Sequence, residues 1–157
     1  MRAILTAVLV ICCIIAGAAR ADPYDDGEAA YNAGQYATAL QIFQPLAEQN
    51  DPRAQLYLGL LYSEGDGVGK NPIQAVYWYR KAADQGHAGA QFYLGHMYLR
   101  GDGVPKDDVL AFMWFNIAAA RGDAQAALAR DDIGKTLNTD QMAEAQRRTR
   151  EWKPNGR

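Results

Sequence analysis

Two short loops, Gly65-Asp66-Gly67-Val68 and Gly101-Asp102-Gly103-Val104, are the first places in this chain where residue types suggest chemistry. Glycine beside aspartate can cradle a phosphate or help to ligate calcium. A phosphate loop, however, needs a preceding strand and a lysine at fixed spacing, and an EF-hand needs several oxygen ligands. Each loop offers one aspartate, so a turn between helices is the better reading. His87 and His96 lie nine residues apart, with no second histidine at helical spacing to share a metal. No serine-nucleophile motif is visible. Cys12 and Cys13 fall inside an N-terminal apolar run that the mature chain is expected to lose, which leaves no cysteine for a Cys–His pair. The expectation is a protein that is not an enzyme, with no catalytic residue, cofactor or metal.

The loops recur because the stretches around them recur. Ala54 to Gly89 and Ala90 to Gln125 align without a gap at an offset of 36 residues, and 17 of the 36 positions are identical. A fixed period of this size marks a solenoid, in which each unit is one supersecondary element that cannot bury its apolar face alone. Ala54, Leu58, Leu61 and Tyr62 fall on one face of a first helix. Gly59, matched by Gly95, sits mid-helix, where glycine costs about 1 kcal/mol relative to alanine. That implies another backbone too close for a Cβ. Gly65 suits a left-handed helix end and Gly67 a turn. Asn71-Pro72, or Asp107, opens a second helix whose stripe is Ala75, Val76, Tyr79, Ala82 and Ala83. Its echo is Ala111, Phe112, Phe115, Ala118 and Ala119. Each unit is predicted to be a helix hairpin with a small-residue seam.

The run A-x-x-x-L-G-x-x-Y-x-x-G-x-G-V, followed by A-x-x-W-x-x-x-A-A-x-x-G, resembles the Sel1-like repeat. That family is a relative of the tetratricopeptide repeat with a longer inter-helix loop. The match holds in both copies, from Ala54/Ala90 and Gly59/Gly95 through Trp78/Trp114 to Gly86/Gly122. The resemblance implies a right-handed all-α solenoid, with about seven helices in this chain, used for protein–protein contact. Some cysteine-rich relatives are linked to penicillin binding through paired cysteines in every unit. This chain has none, so that activity does not transfer.

Residues 1–21 read as a secretory signal: Arg2, an apolar run from Ile4 to Ala18, then the cleavage signature Ala19-Arg20-Ala21. The expected mature protein begins at Asp22 in a bacterial periplasm, with the membrane as a partner only if the signal stays attached. It carries 14 basic and 18 acidic residues, a balance that argues against nucleic acid. Residues 22–53 hold six acids against one base, and residues 141–157 five bases against two acids. The ends are therefore opposite in sign and could steer a partner.

Residues 22–53 read as a degenerate, tetratricopeptide-like first unit, with Ala39, Phe43 and Ala47 one period before Ala75, Tyr79 and Ala83. Pro45 is expected to kink its second helix. The full units are 54–89 and 90–125, and 126–157 form a C-terminal cap. Within that cap a first helix starts at Ala126, Asp131 to Leu137 is expected to be irregular, and a last helix opens at Asn138 with a capping box through Gln141.

Positions where the two copies differ on one helix face are the candidate binding residues. They are Arg53, Leu56, Leu60, Ser63 and Glu64, and their counterparts Phe92, His96, Leu99 and Arg100. The resemblance aims these first-helix positions into a concave groove that would hold a segment of a protein partner. Leu56, Leu60 and Phe92 could equally pack against the next unit. The functional expectation is an exported adaptor. The alternative is a small exported enzyme or cell-wall ligand binder, which would show a pocket converging two or more titratable side chains where an adaptor shows an open apolar groove.

Overall fold

The computed structural model describes residues 22–155. The expected signal therefore lies outside the described residues. Eight helices run in order, one more than the sequence suggests: α1 Pro23–Asn32, α2 Tyr36–Glu48, α3 Pro52–Glu64, α4 Pro72–Asp84, α5 Ala88–Arg100, α6 Asp108–Ala120, α7 Ala124–Gly134 and α8 Thr139–Glu151. Helices α1 to α7 each pack against the next, and α8 folds back onto α6.

The helix boundaries follow local chemistry. Asp51, His87 and Asp123, spaced by the repeat, cap the first helices α3, α5 and α7 by accepting from backbone N–H groups. Asn71 and Asp107 do the same for α4 and α6. Gly65 and Gly101 end α3 and α5 in the left-handed conformation. Asn138 and Gln141 form the expected reciprocal box, at 2.9 and 3.0 Å. Helix α2 runs through Pro45 to Glu48. One expectation needs correcting. Asp131 to Gly134 is helical, because Ile133 turns inward, 5% exposed, while its polar neighbours face water.

The core is a spine of alanines with rings laid across it. Ala39, Ala47, Ala54, Ala75, Ala90 and Ala111 are fully buried, letting helices approach closely. Tyr62 packs against both apolar clusters and joins them. Gly59 and Gly95 do face a close neighbour, but it is a ring and not a backbone. A Cβ on Gly59 would overlap the Tyr79 ring, and one on Gly95 would sit 2.6 Å from Phe115 Cε1. Gly27 repeats the device against Phe43, at 2.7 Å. Backbones meet instead at the loop glycines. A Cβ on Gly67 would lie 2.6 Å from the Tyr36 carbonyl carbon, and one on Gly103 would lie 2.8 Å from the Ile73 nitrogen. Each loop thus docks on the start of the previous unit's second helix. Gln55 and Gln91, both fully buried, donate from Nε2 to the Ala47 and Ala83 carbonyls at 3.1 and 3.0 Å. Each glutamine clasps the end of the helix before it.

Candidate partner-binding clefts

The repeat builds one cleft twice. The first, about 420 Å³, lies between the end of α3, the start of α4 and the exposed side of α5. The second, about 480 Å³, lies one unit on, against α7. Ser63, Lys70, Tyr93, His96, Met97 and Arg100 of the first become Leu99, Lys106, Ala129, Asp132, Ile133 and Thr136 of the second, all at the 36-residue offset. His96 borders both. The lysine is retained while the character changes. The first cleft is mainly polar, and the second is mainly apolar.

Of the residues singled out from sequence, Ser63, Glu64, Phe92, His96 and Arg100 come together at the first cleft, and Leu99 lines the second. Leu56 and Leu60 are half-buried against the core, so the packing reading describes them better. Phe92 also packs inward, edge-on to His96 at 4.6 Å and tilted on Phe115 at 6.0 Å. Arg53 is held elsewhere. It pairs with Asp51 at 2.8 Å and Asp22 at 3.2 Å, and it lies 4.0 Å over the Tyr24 ring. Sequence reading missed Lys70, Tyr79 and Tyr93. For Tyr79 a signal existed, because Phe43 and Phe115 hold the same position in the adjacent units and lack the hydroxyl.

The floor and rim of the first cleft differ in charge state. Tyr79 is 1% exposed, and its hydroxyl lies beside Ser63 without a hydrogen bond of good geometry. Burial pushes its phenol far above the ordinary range, so it stays protonated. Tyr93 stacks on it at 5.3 Å. His96 Nδ1 is likewise buried without a partner. Burial, then the nearby Arg100, holds the imidazole below its usual pKa. On the rim stand Glu64, Lys70, Arg100 and Asp102, two of each sign, and none of them forms an ion pair with another of the described residues. Several titratable groups thus surround the first cleft, but no hydrogen bond ties a hydroxyl to His96 as a nucleophile to its base. Among the described residues no three histidine, cysteine or acidic side chains gather to hold a metal ion. No described helix is long and apolar enough to cross a membrane.

A stack of helical hairpins with ring-on-glycine seams and a row of repeat-related clefts defines a solenoid scaffold, a class that works through surfaces and binds other proteins. Within that class the chain carries two Sel1 repeats, the Sel1 repeat model matching residues 52–87 and 88–123. No curated protein matches the chain. Among solved structures it is similar to a protective antigen present in uropathogenic Escherichia coli strains, which displays an SLR fold. The identity is 30% and the TM-score 0.80, over 83% of this chain and 29% of that one. It is also similar to a Sel1 repeat protein from Oxalobacter formigenes, with 37% identity and a TM-score of 0.67, over 86% of this chain and 56% of the other. The chain thus spans well under two thirds of either relative's length.

Proposed function

We propose that this protein is an exported adaptor that holds an extended segment of a protein partner along α3, α5 and α7. The observation that carries the reading is the duplicated cleft. Two quasi-equivalent recesses stand one unit apart on successive first helices, and their linings differ where the two copies differ. A peptide with side chains spaced to enter both would gain specificity from the first and apolar burial from the second. The N-terminal signal-like run supports export to a bacterial periplasm.

The titratable lining of the first cleft favours a second reading, in which a small polar ligand of the cell wall binds there alone. Both readings are tested by capture from the exported fraction with purified wild type, Arg100→Glu, Leu128→Ser, and a control altered at Tyr77 on the exposed face of α4. Arg100 is an exposed rim residue, and Leu128, 69% exposed, follows Phe92 by one period. An adaptor loses its protein partner with either first-helix variant and keeps it with Tyr77→Ser. A partner retained by both first-helix variants would sink the groove reading.

A further inference from the structure

Three glycines packed under rings set the register between units. Gly27, Gly59 and Gly95 face Phe43, Tyr79 and Phe115, so the units align helix by helix. Four residues beyond the glycine stand Tyr31, Ser63 and Leu99. Seven before the ring stand Tyr36, Pro72 and Asp108, and fourteen after it Tyr57, Tyr93 and Ala129. In the first unit these positions form an aromatic knot. Tyr57 stacks on Phe43 at 4.6 Å, and the Tyr31 ring stands edge-on to Tyr57 at 4.9 Å and to Tyr36 at 5.4 Å. In the second unit Ser63, Pro72 and Tyr93 line the first cleft, and in the third Leu99, Asp108 and Ala129 line the second. The stack persists at the first cleft, where Tyr93 lies on Tyr79 at 5.3 Å with the planes 12° apart. The ring across it is gone. Ser63 stands where Tyr31 stands, and Tyr93 is left 37% exposed.

We propose that the first cleft takes a tyrosine side chain of the docked segment, seated over Ser63 and edge-on to Tyr93 as Tyr31 is to Tyr57. The inference rests on the adaptor reading and names one side chain that the partner must supply. An edge-to-face pair adds electrostatic attraction to the apolar area it covers, which an aliphatic side chain cannot do. The rim suits a phenol. Glu64 and Asp102 offset Lys70 and Arg100, all four exposed, so a carboxylate or an ammonium meets as much repulsion as attraction. A phenol hydroxyl is neutral and both donates and accepts, so a group of either sign can meet it at the mouth. The second cleft lacks the platform, because Ala129 replaces Tyr93 and Leu99 fills part of the ring's place. The aromatic preference therefore belongs to the first cleft alone.

The test titrates N-acetyl methylamides of tyrosine, cyclohexylalanine and leucine into the protein and follows amide chemical shifts. The tyrosine probe should move Ser63, Tyr93 and Arg100. It should reach half-saturation at about two- to ten-fold lower concentration than either aliphatic probe, the margin of one edge-to-face pair. Ser63→Tyr rebuilds the first unit's knot in the second. It should keep the unfolding midpoint level or raise it, abolish the shifts from the tyrosine probe, and release the captured partner. A lower midpoint for Ser63→Tyr would mean that the cleft has no room for a ring, and would overturn the proposal. So would an aliphatic probe that binds as tightly as tyrosine, shifts from no probe, or a partner that Ser63→Tyr still captures. The adaptor reading is judged apart from these outcomes, by whether Leu128→Ser loses a partner that Tyr77→Ser keeps.

Discussion

His87 does a job that aspartate does in the units on either side. Its Nδ1 accepts from the Ala90 N–H at 3.3 Å, where Asp51 and Asp123 offer carboxylates to α3 and α7. Only an unprotonated ring nitrogen can accept, and a charged imidazole would also oppose the positive end of the helix dipole. Burial first of all holds the His87 pKa below its ordinary 6.5, and burial lowers that of His96 as well. The folded state therefore binds fewer protons than the unfolded chain. Their contribution to stability is complete above about pH 7 and is lost as pH falls through the ordinary histidine range toward the folded values. Asp51 is shifted down from the usual carboxylate range, so its contribution fades only at lower pH. We expect the unfolding midpoint to fall between pH 7 and pH 5. His87→Asp should gain about 0.5–1 kcal/mol at neutral pH and flatten that slope. A wild-type midpoint that stays level from pH 7 to 5 would contradict this account of the cap.

At the scale of the element, glycines set the distances. Gly59→Val and Gly95→Val should each destabilise by about 2–4 kcal/mol, because the branched side chain meets a ring that is itself hemmed in. Tyr79 is stacked under Tyr93, and Phe115 is wedged against Phe92 and His96. The loops allow a cleaner comparison. Gly34 and Gly67 have the same left-handed backbone, with φ of +73° and +66°, but a Cβ on Gly34 meets open space. Gly34→Ala should cost about 1 kcal/mol of backbone strain. Gly67→Ala should cost about 1–3 kcal/mol more, because it collides with the start of α2. Equal losses in chemical denaturation would remove the docking role of the loop. Much at this scale was legible in the sequence. Two copies at one period exposed the hairpins, their caps and the close approach at Gly59. They could not say what approached, since a repeat reveals that a position is constrained and not by which atom. Gly27 escaped notice because the first unit's shorter loop shifts it out of register. The length of α7 was missed because a polar run with one apolar anchor reads as a loop until Ile133 is seen facing inward.

For the whole molecule, the sequence divides binding from packing too sharply. Variation between copies picked out the first-helix face, and Ser63, His96 and Arg100 do meet there. Phe92 and Leu99 stand among the candidate binding positions, but both contact the core. Phe92→Ala with Leu99→Ala should therefore cost about 2–4 kcal/mol of stability, whereas Leu128→Ser should stay within about 0.5 kcal/mol. Thermal unfolding of the two variants decides the point. Identity between copies misled in the other direction, for Tyr93 matches Tyr57 yet is 37% exposed and borders the first cleft. The opposite-signed ends are also less bare than a charge count suggests. Arg147 pairs with Glu144 and Glu151, Arg148 pairs with Glu144, and Arg53 pairs with two aspartates.

The glutamine clasp stops short of the last junction. The position that follows Gln55 and Gln91 by one period is Ala127, which has no side-chain amide to hold the end of α6 as the others hold α2 and α4. Beyond it, α8 has anchors of its own. Trp152 packs edge-on to Trp114 at 5.9 Å, and the Asn155 N–H reaches the Asp84 carbonyl at 2.6 Å. Helix α7 has only Ala126 and Ile133 buried beneath it. Its opening should therefore be uncoupled from that of the rest of the molecule. In native-state hydrogen exchange, α7 amides should trade with solvent through a low-energy excursion that leaves α3 to α6 closed. Ala127→Gln should slow that exchange toward the global rate, making the third junction behave like the first two.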